Sequence, residues 1–357
     1  MTIVVDCRMI DASGIGVYLR GILPFFFQTE NNFLLLGNMA QLNSFASNAN
    51  VKIIECNIKP FSIKETFLFP QKTAKQINKA DVYFSPFFNV PCSIKIPVYT
   101  TIHDIIFPDM PHLSSRAGLA ARMWFFHRAF AKSRKIFTVS LFSKSRIEHH
   151  LGTEKPVIVT HSAIQQMFLE YRANVRNITK KETIVFIGNI KKHKGLDYLL
   201  DAFHQARNEG LPHKLIIIGS KENFRSSDNA VLQKIEATST DAISFTGFVS
   251  DEKLMEHLST AALLVQPSLY EGFCLPPLEA MVLGTHTLIS DIPVLKEIYV
   301  DYPVTFFRAG DMNDLKEKMM EMLLIQKTET LSLPEHLAKK YTFHKTASII
   351  LKNVISC

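Results

Sequence analysis

The sequence predicts an α/β protein of two Rossmann-like domains, and three observations carry that expectation. At 357 residues the chain is longer than one ordinary core requires. Short β-branched runs alternate with polar or amphipathic segments, the rhythm of βα units around a parallel sheet. That rhythm breaks over one charged stretch and then starts again.

In the first half the strand candidates are TIVV, FLLLG, VKIIEC, DVYFSP, VYTTIHD, KIFTVS and PVIVTHS. In the second half ETIVFIGN reads as a buried strand. HKGLDYLLDAFHQA then reads as an amphipathic helix, with Leu196, Leu199, Leu200 and Phe203 on one face. KLIIIGS, ISFTGFVS, a helix from Asp251 to about Thr260, ALLVQPS and HTLISD continue the alternation. Between the halves LEYRANVRNITKKE, residues 169–182, is polar and without apolar periodicity, and is expected to be a linker. The expected domains are therefore residues 1–168 and 183–340, with residues 341–357 as a C-terminal helix packing back on the first domain. Two such domains are expected to face one another, with ligands bound in the inter-domain cleft beyond the carboxyl ends of the strands.

Composition narrows the class. An apolar fraction of 47% and a charged fraction of 20% describe a folded globular chain. Cys7, Cys56, Cys92, Cys274 and Cys357 are scattered, with no C-x-x-C, so neither a zinc site nor a disulfide framework is expected and a reducing cytosol fits best. MTIVVDCRMI reads as a strand rather than a secretion signal, and no apolar run is long enough to span a bilayer. The window 110–150 carries eight Arg and Lys residues against Glu148 alone, a local excess equal to the +7 of the whole chain. Within it, RAGLAARMWFFHRAFAKSRK interleaves Trp124, Phe125, Phe126 and Phe130 with Arg122, Arg128, Lys132, Arg134 and Lys135. Such a helix can lie on anionic lipid through Arg122, Trp124, Phe125, Arg128 and Lys132, or bury its aromatics in the first domain behind a solvated basic face. No nucleic-acid-binding motif accompanies the charge, and nucleic acid is not expected as a partner.

The chemistry concentrates in SLYEGFCLPPLEAM, residues 268–281. A strand ending near Gln266 runs into a loop, and Pro276 and Pro277 suit the first helical positions. Glu279 then falls in the first turn, Glu271 stays on the loop, and the amides of Phe273, Cys274 and Leu275 lie where a helix start favours an anion. Two carboxylates flanking an anion site suit a sugar joined to a nucleotide. The same residues also suit a dipole-complementing acid and a solvated loop acid.

SLYEGFCLPPLEAMVLGTHTLISDIPVLKEI closely resembles the E-x7-E region of retaining glycosyltransferase family 4. IVFIGNIKKHKGLDYLLDAF resembles that family's phosphate-binding strand and helix, ISFTGFVSDEKLMEHLSTAALLVQPS its base-binding segment, and YTFHKTASIIL its C-terminal helix. DCRMIDASGIGVYLRGIL resembles its glycine loop and TTIHDIIFPDMP its His-Asp segment. The resemblance implies the GT-B fold and a nucleotide-diphosphate sugar as donor.

Carried over by position, the resemblance implies that Glu279 binds ribose hydroxyls and that Glu271 binds the donor sugar near its reacting carbon. It also implies that Phe273, Cys274 and Leu275 hold sugar and diphosphate through their amides. Lys194 is implied to neutralise the departing diphosphate, and His103 to contact the donor sugar; Glu271 and His103 are the expected catalytic residues. Phe248 and Val249 fall in the base-binding segment. Gly14 and Gly16, read as a loop after the first strand, would let a phosphate or acceptor approach the backbone closely. Three positions depart from the family. Asn189 stands where many members have arginine, with Lys191 or Lys192 as substitutes. Cys274 stands where glycine is usual, which matters if φ is positive, and HSAI at residues 161–164 lacks a common glycine.

No D-x-D occurs, so neither a metal nor another cofactor is expected. The expected activity is retaining transfer of a hexose, mannose- or rhamnose-type, from a nucleotide sugar to a glycan or lipid-linked glycan acceptor in O-antigen or capsule synthesis. A cytoplasmic location is expected, with peripheral contact to the inner face of the membrane. A nucleotide-sugar 2-epimerase and a non-catalytic glycan-binding protein are the alternatives on the same plan.

Overall fold

The computed structural model describes residues 1–175, 178–219, 241–325 and 330–355. The chain divides into two units, Met1–Gln165 with Tyr341–Cys357, and Gln166–Lys340. In the first, β1 (Thr2–Asp6), β2 (Asn32–Gly37), β3 (Val51–Glu55), β4 (Val82–Ser85), β5 (Val98–Thr101), β6 (Ser133–Thr138) and β7 (Val157–Val159) form a sheet in the order β3-β2-β1-β4-β5-β6-β7. In the second, β8 (Lys181–Ile187), β9 (Lys214–Ile218), β10 (Ile243–Gly247), β11 (Ala261–Gln266), β12 (His286–Ser290) and β13 (Thr305–Phe307) follow the order β10-β9-β8-β11-β12-β13.

Every pairing between these strands is parallel, which explains why the strands read as continuous apolar runs: both faces are covered. Val4 lies between Leu34 and Tyr83, and Leu264 between Val185 and Thr287, all in register. Strand order reverses between β1 and β4 and again between β8 and β11. Those are the switch points where loops from neighbouring strands part and leave a crevice.

The helix Leu196–Asn208 presents Leu199, Leu200 and Phe203 to Ile184 and Phe186 of β8, beside Leu315 and Met319 of the helix Met312–Ile325. In the first unit the C-terminal helix Phe343–Ile355 crosses the helix Ser13–Phe27 at Gly21, where the ring of Phe343 occupies the space a Cβ would need. The Thr346 hydroxyl donates to the Thr160 carbonyl at 2.9 Å and ties this helix to the end of β7. Cys357 lies outside the described residues.

The segment 169–182 is not the open linker expected. Residues 169–174 belong to the helix Gln166–Asn174, Lys181 and Glu182 begin β8, and residues 176–177 lie outside the described residues. One apolar side chain anchors that helix: Phe168 is fully buried, and the helix packs on the helix Pro276–Val282. A single anchor leaves no periodicity to read.

Candidate functional site

At the switch point of the second unit, β8 ends at Ile187 and the chain reaches a short 3-10 turn, Lys192–Lys194. Gly195 follows at φ 66, with no room for a Cβ against the Pro267 carbonyl, and opens the helix Leu196–Asn208. On the other side β11 ends at Gln266 and the loop begins. The Leu269 amide donates to the His193 carbonyl at 2.7 Å, so the turn after β8 and the loop after β11 are one hydrogen-bonded unit.

This joint brings Lys194 to Glu271. The ammonium lies 2.7 and 2.9 Å from the two carboxylate oxygens, and Ser268 donates its hydroxyl to the same carboxylate at 2.7 Å. The Gln266 side-chain amide donates in turn to Ser268 at 3.1 Å, and the Ser290 hydroxyl to the Ser268 carbonyl. Burial would raise the Glu271 carboxyl, but Lys194 and Ser268 together hold it below the ordinary carboxylate range. His193 is half-buried beside Lys194, and desolvation, then that lysine, lower its ring to about 4, so it is neutral.

Pro276 and Pro277 occupy the first positions of the helix Pro276–Val282, as their missing N–H groups allow, and Glu279 lies in its first turn. Its carboxyl is buried and, among the described residues, meets no hydrogen-bond donor or counter-ion. Burial, then the charge of Asp251, raises it to about 7. The two acids are thus pushed in opposite directions, one by its ion pair with Lys194 and the other by burial. Between them Cys274 is held at φ 73, the left-handed conformation its departure from glycine warned against. Tyr299 fixes it by donating to the Cys274 carbonyl. The Cys274 thiol, raised by burial and then by Glu271 and Glu279, feels both acids. Phe273 is buried and Leu275 half-buried at the helix start.

The remaining donor-side residues spread outward. Asn189 is half-buried just past β8, while Lys191 and Lys192 are exposed beside it. Phe248 is 88% exposed and Val249 half-buried between β10 and the helix Asp251–Thr260.

Gly14 and Gly16 do not form a loop. Both lie in the first turn of the helix Ser13–Phe27, because the connection from β1 is used up by the turns over residues 7–12, before the glycines. Gly16 packs its Cα against the Ile10 carbonyl, whereas a Cβ at Gly14 would meet open space. His103 lies two residues beyond β5, its ring edge-on to Tyr18 with centroids 5.0 Å apart. Its Nε2 is 2.9 Å from the Pro86 carbonyl, so in the neutral ring Nε2 carries the proton and Nδ1 is an acceptor. Burial lowers the ring to about 4 despite that carbonyl, which keeps it neutral.

The helix Arg116–Lys132 buries Phe126 and Phe130 in the core of the first unit. Three of the cations expected at lipid are tied to the protein instead. Arg122 donates to Ser114 at 2.9 Å and covers the Phe107 ring. Arg128 reaches Cys92 and the Trp124 ring, and Lys132 donates to the Pro91 carbonyl at 2.7 Å. Trp124 stays 45% exposed and Phe125 half-buried.

Sequence reasoning passed over Ser268 and His193, though a hydroxyl at a strand end three residues before an acid is a legible signal. It also passed over Arg8, fully enclosed between Asp6 and Glu65 at the switch point of the first unit. A charge directly after a buried strand was the available clue.

Residues 168–340 match the family described as "Glycosyl transferases group 1". The chain is 26% identical over 259 residues to the O-antigen chain mannosyltransferase B of Escherichia coli, covering 70% of this chain and 66% of that protein. It is 26% identical over 236 residues to the serotype-specific mannosyltransferase WbdA of Escherichia coli, spanning 62% of this chain but 29% of WbdA. Among solved structures, Anabaena Alr3699/HepE in complex with UDP and glucose matches at TM-score 0.72 and 16% identity over the whole of both chains. An α,α-trehalose-phosphate synthase from Burkholderia vietnamiensis matches at TM-score 0.72 and 11% identity, also over both chains entire. These likenesses establish the GT-B fold expected from the sequence.

The opposed environments of the two acids have a direct spectroscopic consequence. In a carboxyl-carbon NMR titration Glu271 should titrate below the ordinary range and Glu279 near 7. Lys194→Met should move Glu271 above the ordinary range, because burial remains when the counter-charge goes. A Glu271 titration unchanged by that substitution would contradict the pairing.

Proposed function

We propose that this protein, which belongs to the group 1 glycosyl transferases through residues 168–340, moves a hexose from a nucleoside-diphosphate donor to a glycan acceptor with retention. The observation that carries the reading is Lys194 held on both oxygens of Glu271 while Glu279, among the described residues, stays buried without a hydrogen-bond partner. A lysine ammonium is a mobile point charge that a diphosphate can recruit, and an unpartnered carboxylate accepts two neighbouring hydroxyls such as those of a ribose.

In this reading Glu279 takes the ribose and the exposed Phe248 ring offers a face to the base. The backbone from Phe273 to Leu275 and Lys194 take the diphosphate, and Asn189 with Lys191 or Lys192 fills the place of the usual arginine. Glu271 faces the sugar. The bond between the anomeric carbon and the diphosphate oxygen breaks as positive charge grows on the ring, which Glu271 stabilises. The acceptor hydroxyl attacks on the same face, and its proton passes to the departing diphosphate oxygen. His103 contributes Nδ1 as an acceptor for a sugar hydroxyl, and the open backbone at Gly14 admits the acceptor or a phosphate.

The names of the relatives favour a mannose-type sugar and an O-antigen-type or capsule-type glycan, free or lipid-linked. The reaction is proposed to need no metal, since the chain has no D-x-D and, among the described residues, no cluster of three His, Cys, Asp or Glu side chains suited to one. A cytoplasmic site of action is proposed with it, where nucleotide sugars are the donors.

The reading is tested by transfer from a panel of nucleotide sugars in excess EDTA, with the anomeric configuration of the product read by NMR. Retained configuration and full activity are expected. A changed nucleotide sugar released without acceptor, or activity restored only by Mn2+, would overturn the transfer or the metal claim respectively.

Kinetics separate the acids. Glu279→Gln should raise the donor KM by about 10- to 100-fold, as loss of about 1.5–3 kcal/mol of charged hydrogen bonding requires, with kcat little changed. Glu271→Gln should lower kcat by about 10²-fold. In the wild type, donor affinity should rise as pH climbs through about 7, because the ribose prefers ionised Glu279 and binding then releases a proton. A kcat for Glu271→Gln close to wild type would reduce Glu271 to a binding residue.

A further inference from the structure

The first unit carries an apolar ridge that its own fold does not cover. Phe61, Ile63, Phe67, Leu68 and Trp124 are 40%, 75%, 60%, 68% and 45% exposed, and the Phe67 and Trp124 rings lie 5.8 Å apart. Most of the ridge falls in one segment, KPFSIKETFLFPQKTAKQINK, residues 59–79. Isolated exposed apolar residues are ordinary, but a contiguous set marks an interaction surface.

The ridge is held outward by buried polar contacts. In the short helix Ile63–Phe67, Glu65 and Thr66 turn inward. Glu65 is fully buried and receives Arg8 at 2.6 Å, the Phe61 amide at 2.6 Å and the Asn89 amide. Thr66 donates to the Ser62 carbonyl at 3.1 Å, and its own carbonyl receives the Cys92 amide at 3.0 Å. With residues 65 and 66 fixed inside, helical geometry turns Ile63, Phe67 and Leu68 to solvent. Phe61 is pinned at φ 62, its ring against Phe87 and Phe88.

The exposed charge along this segment is of one sign. Lys59, Lys64, Lys72, Lys75 and Lys79 are all exposed, and the only acid of the segment is the buried, ion-paired Glu65.

We propose that this ridge docks on an anionic membrane surface, with Phe61, Ile63, Phe67, Leu68 and Trp124 entering the interface and the five lysines against head groups. Apolar side chains ringed by lysine match the chemistry of that surface. A second copy of the chain is a poor occupant, because a two-fold contact would set the same lysines against each other. The docking element is therefore the segment 59–79 with Trp124, rather than Arg122, Arg128 and Lys132, which make contacts within the unit. This goes beyond the proposed transfer and does not depend on it.

Trp124 is the only tryptophan in the chain, so its emission reports on the ridge directly. With vesicles of phosphatidylcholine and phosphatidylglycerol at 3:1, and no donor present, the intact protein should float and its emission should shift to the blue. Phosphatidylcholine alone should give neither. Raising NaCl from 0.1 to 1 M, which shortens the Debye length from about 10 Å to about 3 Å, should release it. Lys64→Glu, Lys72→Glu and Lys75→Glu together should lower the partition coefficient by about 10²-fold or more, at roughly fivefold per charge removed. Ile63→Ser, Phe67→Ser and Leu68→Ser together should abolish flotation while leaving the unfolding midpoint in urea unchanged, since all three side chains are exposed. Wild-type emission unaffected by anionic vesicles, flotation of the triple serine variant equal to wild type, or a wild-type dimer that this variant renders monomeric would each overturn the proposal.

Discussion

The ion pair between Lys194 and Glu271 is the constraint on which the second unit's site depends. Burying such a pair is a poor way to stabilise a fold, because desolvation offsets most of the attraction. Its geometry has a different consequence: the protein's own groups favour the ionised carboxylate and orient it through Ser268. The pair in turn requires that β8 and β11 be neighbours, that Gly195 adopt φ 66 against the Pro267 carbonyl, and that Leu269 bind His193. Strand order, one left-handed glycine and one backbone hydrogen bond thus converge on a single contact.

Glu279 depends on the opposite device. The helix Pro276–Val282 buries nearly its whole length, so an acid in its first turn loses water and gains nothing in exchange from the described residues. A carboxylate in that condition is poised for hydroxyl donors. Cys274, strained at φ 73 and held by Tyr299, sets the turn that separates the two acids. Strain of this kind persists where the surroundings over-determine the backbone, as a buried carbonyl bonded to a buried tyrosine does here.

Much of this was legible in the sequence because parallel sheets buried on both faces are spelled as uninterrupted apolar runs. Strands β1 to β12 each fall in a stretch read as a strand, even where edge strands such as β3 and β10 carry exposed polar residues, while β13 is three residues long and too short to stand out. The acids, the two prolines and Lys194 were placed correctly on loop and helix start, since proline and strand-end chemistry are local. What failed was non-local. Gly14 and Gly16 looked like a loop because glycine weakens any helix reading, yet the loop after β1 ends at Ala12 and the helix has begun by Ser13. Phe168 alone holds the helix that begins at Gln166, and one buried ring leaves no period. The cations of the helix Arg116–Lys132 looked free because their partners, Ser114, Cys92 and the Pro91 carbonyl, could not be paired with them from spacing. The exposed ridge at residues 61–68 was invisible for the same reason: the buried contacts of Glu65 and Thr66 say which side of that short helix faces out.

The central claim is that Lys194 leaves Glu271 for the donor's diphosphate. Calorimetric titration of UDP, UMP, GDP and GMP into the wild type and Lys194→Met tests it most directly. The account predicts that the wild type binds one diphosphate more tightly than its monophosphate, and that Lys194→Met erases that difference while leaving monophosphate affinity nearly intact. Equal weakening of mono- and diphosphate, or a preference for diphosphate that survives the substitution, would contradict it.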